Sequence, residues 1–257
     1  MPIKLISTDF DGTLFAEFET PPIPERLQGL IGSLQQQGAK WVINTGRDMS
    51  SLMEALARSK TVIEPDYLVL VEREIFVHHD SSYTALDPWN RECSDSHTQL
   101  FEKVYDDLPK IVDWINTRFH ARIYEDPFSP FCIIASSNND MDKIHEYLDD
   151  YCATVPNLVV VRNDVYARFS HIAYNKGTAL QEISKRLGIG PESVFAAGDH
   201  LNDLPMLQQK YARYLVTPSN AVGEVKLQVR REQGFLSEQH AGWGVAEGLQ
   251  HFLESED

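Results

Sequence analysis

Basic residues are scarce in this chain. Against 38 Asp and Glu there are 23 Lys and Arg among 257 residues, a formal net charge of −15. A surface with that balance repels nucleic-acid phosphates and anionic lipid headgroups, so neither is expected as a partner. Cysteine is sparse as well. Cys93, Cys132 and Cys152 form no CxxC pair, and an odd number suits reduced thiols better than a disulfide framework. There is no low-complexity tract, no internal repeat and no hydrophobic run long enough to span a bilayer. The opening residues, Met1-Pro2-Ile3-Lys4-Leu5-Ile6-Ser7, have no signal-peptide profile. These absences lead to the expectation of a soluble, cytoplasmic protein, a monomer or weak homodimer, whose anionic ligands would need a locally positive site.

What is present is an ordinary globular composition, 42% hydrophobic and 24% charged, long enough for one large domain or a medium domain carrying a smaller one. The most informative stretch is Ser7-Thr8-Asp9-Phe10-Asp11-Gly12-Thr13-Leu14. Two carboxylates stand two residues apart where a hydrophobic strand breaks into a Gly-Thr turn. Residues i and i+2 of a continuing strand point to the same face. Two acids there repel each other at a desolvated strand end unless a cation sits between them, and a divalent metal would serve.

Hydrophobic periodicity predicts a βα alternation at both ends of the chain. Lys4 to Thr8, Trp41 to Asn44 and Tyr67 to Val71 read as strands, with Ile75-Phe76-Val77 a hairpin partner. Pro24 to Gln37 and Asp48 to Arg58 read as helices. The last third repeats the habit: helix Lys176 to Leu187, strand Val194 to Ala197, a short helix Asn202 to Gln209, strand Tyr214 to Val216, and helices Ala221 to Arg231 and Val245 to Leu253. Such alternation predicts a parallel sheet with helices on both faces. The middle differs. A long helical stretch from Ser96 to Phe119, a strand at Phe131 to Ile134, a helix from Met141 to Tyr151 and strands near Leu158 to Val161 and Val165 to Phe169 read as an inserted antiparallel module. The expected division is a core in two parts, 1–80 and 171–257, around an inserted α/β cap, 81–170.

In an open parallel sheet, ligands bind beyond the carboxyl ends of the strands. Four loops in such positions carry complementary chemistry. The first holds Asp9 and Asp11. The second, Thr45-Gly46-Arg47, offers a hydroxyl and a flexible backbone N–H. The third is Lys176, at a helix N-terminus that already favours anions. The fourth is the acid-rich turn Gly198-Asp199-His200-Leu201-Asn202-Asp203. Together they supply an acidic nucleophile, a second acid, carboxylates for a hard cation such as Mg²⁺, and three kinds of phosphate ligand.

In order and type these motifs resemble the haloacid dehalogenase superfamily of phosphohydrolases. Asp9-Phe10-Asp11-Gly12-Thr13 is similar to its first motif, Thr45 to its second, Lys176 to its third, and Gly198-Asp199 with Asn202-Asp203 to its fourth. The long gap before the lysine resembles the subgroup with a C2-type α/β cap, the Cof-type and sucrose-phosphate phosphatase-like members. Asn175-Lys176-Gly177, Pro218-Ser219-Asn220-Ala221 and Gly242-Trp243-Gly244-Val245 fit that subgroup. Two departures stand near the cap hinge. Glu72-Arg73-Glu74 replaces the Asn-Gly-Ala that many members carry after the third strand, and the proline often found several residues before the lysine is absent.

The resemblance implies a doubly wound, mostly parallel-sheet α/β core with an inserted α+β cap. It implies a Mg²⁺-dependent phosphatase acting on a small phosphorylated metabolite, a sugar phosphate foremost. Asp9 would attack phosphorus, forming an aspartyl-phosphate. Asp11 would protonate the leaving alcohol and later deprotonate water. Mg²⁺ would be held by Asp9, the backbone carbonyl of Asp11, Asp199 and Asp203, while Thr45, Gly46, Lys176 and Asn202 would grip phosphate. Specificity would reside in the cap, whose closure would exclude bulk water. Arg122, Glu125, Ser129, Arg162 and Asn163, with Arg47 in the core, are the candidates to contact substrate. A phosphosugar mutase, a phospho-acceptor signalling domain and a non-catalytic sugar-phosphate-binding protein remain the alternatives.

Overall fold

The computed structural model describes residues 3–255. The chain divides into two compact units, one running to Leu86 and resuming at Lys176, the other spanning Asp87–Asn175. The expected boundary at 80 falls six residues short, because the large sheet takes up one more strand, Ser82–Ala85, and the one at 170 falls five short, because the last strand of the inserted sheet runs to His171.

The first unit opens with β1 (Leu5–Thr8), α1 (Glu25–Gln36), β2 (Lys40–Asn44), α2 (Met49–Ser59), β3 (Tyr67–Leu70), β4 (Glu74–His79) and β5 (Ser82–Ala85). Every residue of β1 is buried, as a central strand covered on both faces requires. Helix α1 turns Leu27, Ile31 and Leu34 inward. Helix α2 starts at Asp48, whose carboxylate accepts the Ser51 N–H at 2.8 Å, satisfying one of the orphan donors of a helix N-terminus.

The inserted unit follows with α3 (Trp89–Val104), α4 (Leu108–Asn116), β6 (Ala121–Asp126), β7 (Ser129–Ala135), α5 (Asn138–Cys152), β8 (Leu158–Asn163) and β9 (Tyr166–His171). Its antiparallel sheet has the order β6-β7-β9-β8. One face of that sheet, with Phe131, Ile133, Ala167 and Phe169, joins Leu100, Ile111, Ile115, Ile144 and Leu148 of the helices in a separate hydrophobic core. The long helix expected from Ser96 begins earlier, at Trp89, and breaks at a 3₁₀ turn over Tyr105–Asp107. Pro109 enters at the start of α4, where its missing N–H is tolerated; inside one continuous helix it would not be.

The chain returns through α6 (Lys176–Leu187), β10 (Val194–Ala197), β11 (Tyr214–Thr217), α7 (Gly223–Arg231), β12 (Phe235–Leu236) and α8 (Ala241–Glu254). The completed sheet runs β12-β11-β10-β1-β2-β3-β4-β5. Its first six strands are parallel, and β4 and β5 add an antiparallel meander. This is the doubly wound α/β core with an inserted α+β unit. Strand β1 lies where the order reverses, between β10 and β2, and the chain ends of such strands flank a ligand crevice. The helix expected over Asn202–Gln209 is only a 3₁₀ turn at Leu201–Asp203, with Pro205 following. No helix among the described residues is long and apolar enough to cross a membrane.

Candidate active site

Asp9 follows directly on β1, its backbone N–H donating to the Ala197 carbonyl at 2.9 Å and so extending the β1–β10 ladder by one residue. The next residues wrap against the fourth loop. Gly12 has φ +74°, and a Cβ there would lie 2.5 Å from Asp199 Oδ2. Both the left-handed backbone and the close approach require glycine. Thr13 Oγ1 then donates to Asp199 Oδ1 at 2.7 Å. Asn220 Nδ2 bridges the Gly12 carbonyl at 2.8 Å and Asp199 Oδ2 at 3.3 Å.

Lys176, the first residue of α6, is fully buried. Its ammonium donates to Asp9 Oδ1 and Asp203 Oδ1, each at 2.6 Å. Asp203 closes the fourth loop with its other oxygen, which accepts the Asp199 and His200 N–H groups at 2.8 and 3.0 Å. The lysine backbone is fixed too, its carbonyl accepting from Asn44 Nδ2 at 3.0 Å. Thr45 is buried after β2, held by its N–H to the Val69 carbonyl at 2.8 Å. Asn202 is buried beside these groups, donating from Nδ2 to Glu72 Oε1 at 3.0 Å.

The electrostatics follow from burial. Burial pushes the Asp9 carboxyl well above its usual range, and the Asp203 charge adds to this while Lys176 opposes it. Asp199 is pushed up to about 7, by burial first and then by Asp203, with the Thr13 hydroxyl opposing. Burial works to discharge Lys176, but Asp203, Asp9 and Glu72 outweigh it and hold the ammonium charged. One oxygen each of Asp9, Asp199 and Asp203 lies within 4.8 Å of the others. Three buried carboxylates around one ammonium leave uncompensated negative charge. The buried Asn202 Oδ1 accepts no hydrogen bond. This all-oxygen, anionic set fits a hard divalent cation such as Mg²⁺.

Other expected site residues are placed differently. The Asp11 carboxylate is outside the acidic cluster. Arg47 Nε and Nη2 grip it in a bidentate pair, both at 2.7 Å, with the guanidinium 5.4 Å above the Phe10 ring. Only the backbone carbonyl of Asp11 therefore remains as a ligand from that residue, and Arg47 is engaged with Asp11. In the inserted unit Arg162 is spent on a local tie, donating to Asp142 Oδ1 at 2.6 Å, Asn138 Oδ1 at 3.2 Å and the Asp164 carbonyl at 3.0 Å. Ser129 is buried and donates to the Phe131 carbonyl of its own strand at 2.9 Å. Glu125 falls, exposed, at the irregularity between Tyr124 and Asp126. Asn163 ends β8 opposite Tyr166. Arg122 lies 5.6 Å from the Tyr124 ring.

Sequence reading gave no role to two groups. One is a row in the inserted sheet, Tyr124, Cys132 and Arg168, which are register partners across β6, β7 and β9. Their alternation with Ile123, Ile133 and Ala167 sets them on the face away from that unit's core. The other is Thr13, Asn44 and Asn220, which position the four loops. For Asn220 the signal was the Pro-Ser-Asn-Ala motif; for Asn44 there was none.

The comparisons with known proteins agree with this geometry. Residues 2–253 match the sequence profile of the sucrose-6F-phosphate phosphohydrolase family. Among curated relatives, a 5-amino-6-(5-phospho-D-ribitylamino)uracil phosphatase of Bacillus subtilis, YcsE, is 23% identical, the match covering 98% of this chain and 96% of the relative. A second one, YitU, is 26% identical, covering 97% of each. Among solved structures, the sucrose-phosphatase of Synechocystis, in complex with sucrose and phosphate, superposes with a TM-score of 0.72 at 19% identity over 98% of both chains. A haloacid dehalogenase-like hydrolase from Bacteroides thetaiotaomicron gives 0.65 at 18% identity, over 97% and 99%. The chain belongs to the sucrose-6F-phosphate phosphohydrolase family of the haloacid dehalogenase superfamily and is a phosphatase, a phosphoric monoester hydrolase.

Proposed function

We propose that this phosphatase hydrolyses a small phosphorylated metabolite, a sugar phosphate foremost, through an aspartyl-phosphate on Asp9, and that it does so with Mg²⁺. The observation that carries the reading is the buried contact of Lys176 Nζ with Asp9 Oδ1 at 2.6 Å. A cation at that point lowers the charge that a carboxylate must bring to an anionic phosphoryl group, and it fixes the carboxylate in one orientation.

An Asp9 oxygen attacks phosphorus, the new P–O bond forming as the bond to the leaving alcohol breaks. Asp11 gives that alcohol its proton, then takes one from the water that hydrolyses the aspartyl-phosphate. The Arg47 fork orients the Asp11 carboxylate for both steps, and each Asp11 oxygen, accepting one hydrogen bond, keeps a lone pair for the proton. Thr45, the Gly46 backbone, Lys176 and Asn202 hold the non-bridging oxygens. Asp203 keeps Lys176 charged and shapes the loop that presents Asp199. Bound to Asp9, Asp199, Asp203 and the Asp11 carbonyl, Mg²⁺ would offset charge developing on the phosphoryl oxygens.

Support for a polyhydroxylated leaving group comes from the relatives' names, sucrose in one and a phosphoribityl compound in two others. The substrate is read as a free small molecule, with no macromolecular partner. A metal-supplemented screen of phosphorylated metabolites, scored by kcat/KM beside Asp9→Asn, tests the reading. Phosphate release from a sugar phosphate in wild type and none in the variant supports it. Isomerisation of the sugar without release would make the enzyme a mutase.

A further inference from the structure

The turn between β3 and β4 carries a carboxylate into a site that must accept an anion. Arg73 N–H donates to the Leu70 carbonyl at 3.0 Å, and the two residues between, Val71 and Glu72, have φ of +44° and +68°. Two successive left-handed residues mark a type I′ turn, which favours Asn-Gly. A β-branched Val and a Glu adopt that backbone at a cost, and such strain collects at functional sites.

The turn is also fastened. Val71 N–H donates to the Arg47 carbonyl at 3.0 Å and Glu72 N–H to the Thr45 carbonyl at 2.9 Å, so the turn lies along the second loop. The Glu72 side chain is buried. Its Oε1 accepts from Asn202 Nδ2 at 3.0 Å and stands 3.2 Å from where a Cβ on Gly46 would be. The same charge helps to hold Lys176 protonated. One carboxylate thus touches or acts on three of the groups to which the proposed function assigns phosphoryl oxygens.

We propose that Glu72 is a built-in competitor for the phosphoryl subsite. Its carboxylate holds the Asn202 amide while the subsite lacks phosphate, and it opposes an incoming anion by like charge at short range. The consequence is weak retention of inorganic phosphate, the product. This inference rests on the phosphate-binding roles given above to Gly46, Lys176 and Asn202.

The test measures the competitive Ki of inorganic phosphate, with KM and kcat for p-nitrophenyl phosphate, in the full chain with Mg²⁺. Glu72→Gln removes the charge and keeps an oxygen for Asn202. It should lower Ki by roughly five- to tenfold, while Glu72→Asp, still charged, should stay near wild type. Glu72→Gly, which suits the left-handed backbone, should lower Ki likewise and replaces the Gln variant if that does not fold. Asn202→Ala is the control and should raise Ki. An unchanged or raised Ki in folded Glu72→Gln or Glu72→Gly, with Ki raised in Asn202→Ala, overturns the Glu72 proposal alone. An unchanged Ki in Asn202→Ala overturns the subsite assignment beneath it.

Discussion

Lys176 of the core loops and Arg162 of the inserted unit find their partners in opposite ways. In the core, Lys176 reaches Asp9 across 167 residues of sequence, and Asp203 is shared between that lysine and the backbone of its own loop. In the inserted unit, Arg162 pairs with Asp142 on the neighbouring helix, and Ser129 turns back on its own strand. The difference lies in solvation. A buried charge must be matched by specific partners, so its presence announces a site. An ion pair whose partner lies in solvent, as Asp142 does, gains little, so residue type there says little about role.

The largest expected effect on this contrast comes from Asp9→Asn, which should lower kcat by at least about a thousandfold with an unchanged circular dichroism spectrum. Activity near that of the wild type would remove Asp9 as nucleophile. Asp203→Ala strips the buried ammonium of a partner and leaves two loop N–H groups unmatched. It should cost about 3 kcal/mol or more in denaturant unfolding, and a loss below about 1 kcal/mol would place the pair with the surface ones.

Asp199 gives a pH test. Its carboxyl, raised to about 7 when folded, has an ordinary value near 4 when unfolded. The folded chain therefore binds this proton more tightly. In EDTA its contribution to stability is full below about pH 4 and is lost as pH rises through 7. Asp199→Asn should flatten that decline in melting temperature, and Mg²⁺ should raise the melting temperature at pH 8 in wild type but far less in the variant. Equal metal responses would remove Asp199 as a ligand.

Arg47→Lys replaces a bidentate fork by a point charge. It should lower kcat about tenfold with little change in KM if the fork orients Asp11, and a pure KM effect would assign Arg47 to substrate instead. Smallest of all, Arg162→Ala should leave kcat/KM within about twofold and cost no more than about 1 kcal/mol. A large loss of kcat/KM there would erase the contrast between the two units.

Much of the architecture was readable from the chain alone. Helix α6 and strand β10 begin and end where periodicity set them, at Lys176–Leu187 and Val194–Ala197. Both are bounded by residues with strong local preferences, and both bury a continuous apolar surface. The order of acidic, hydroxyl and basic residues at strand ends was readable for the same reason, since few residue types are tolerated where a sheet ends in a buried crevice. Short edge strands were not. β5, β6 and β12 have weak alternation and owe their existence to a neighbour's free backbone groups.

Partner choice was the other thing only tertiary structure decided. The sequence placed Asp11 two residues from Asp9 on one local segment. Whether its carboxylate would face a metal or the Arg47 guanidinium depended on a loop 36 residues away. Asn202 was readable as a polar residue in a loop after a strand, but not as the partner of Glu72, 130 residues distant. Local sequence sets backbone preference and burial through short-range sterics and the hydrophobic pattern. Which buried donor meets which acceptor depends on distances between remote segments, and those exist only once the sheet has brought its strand ends together.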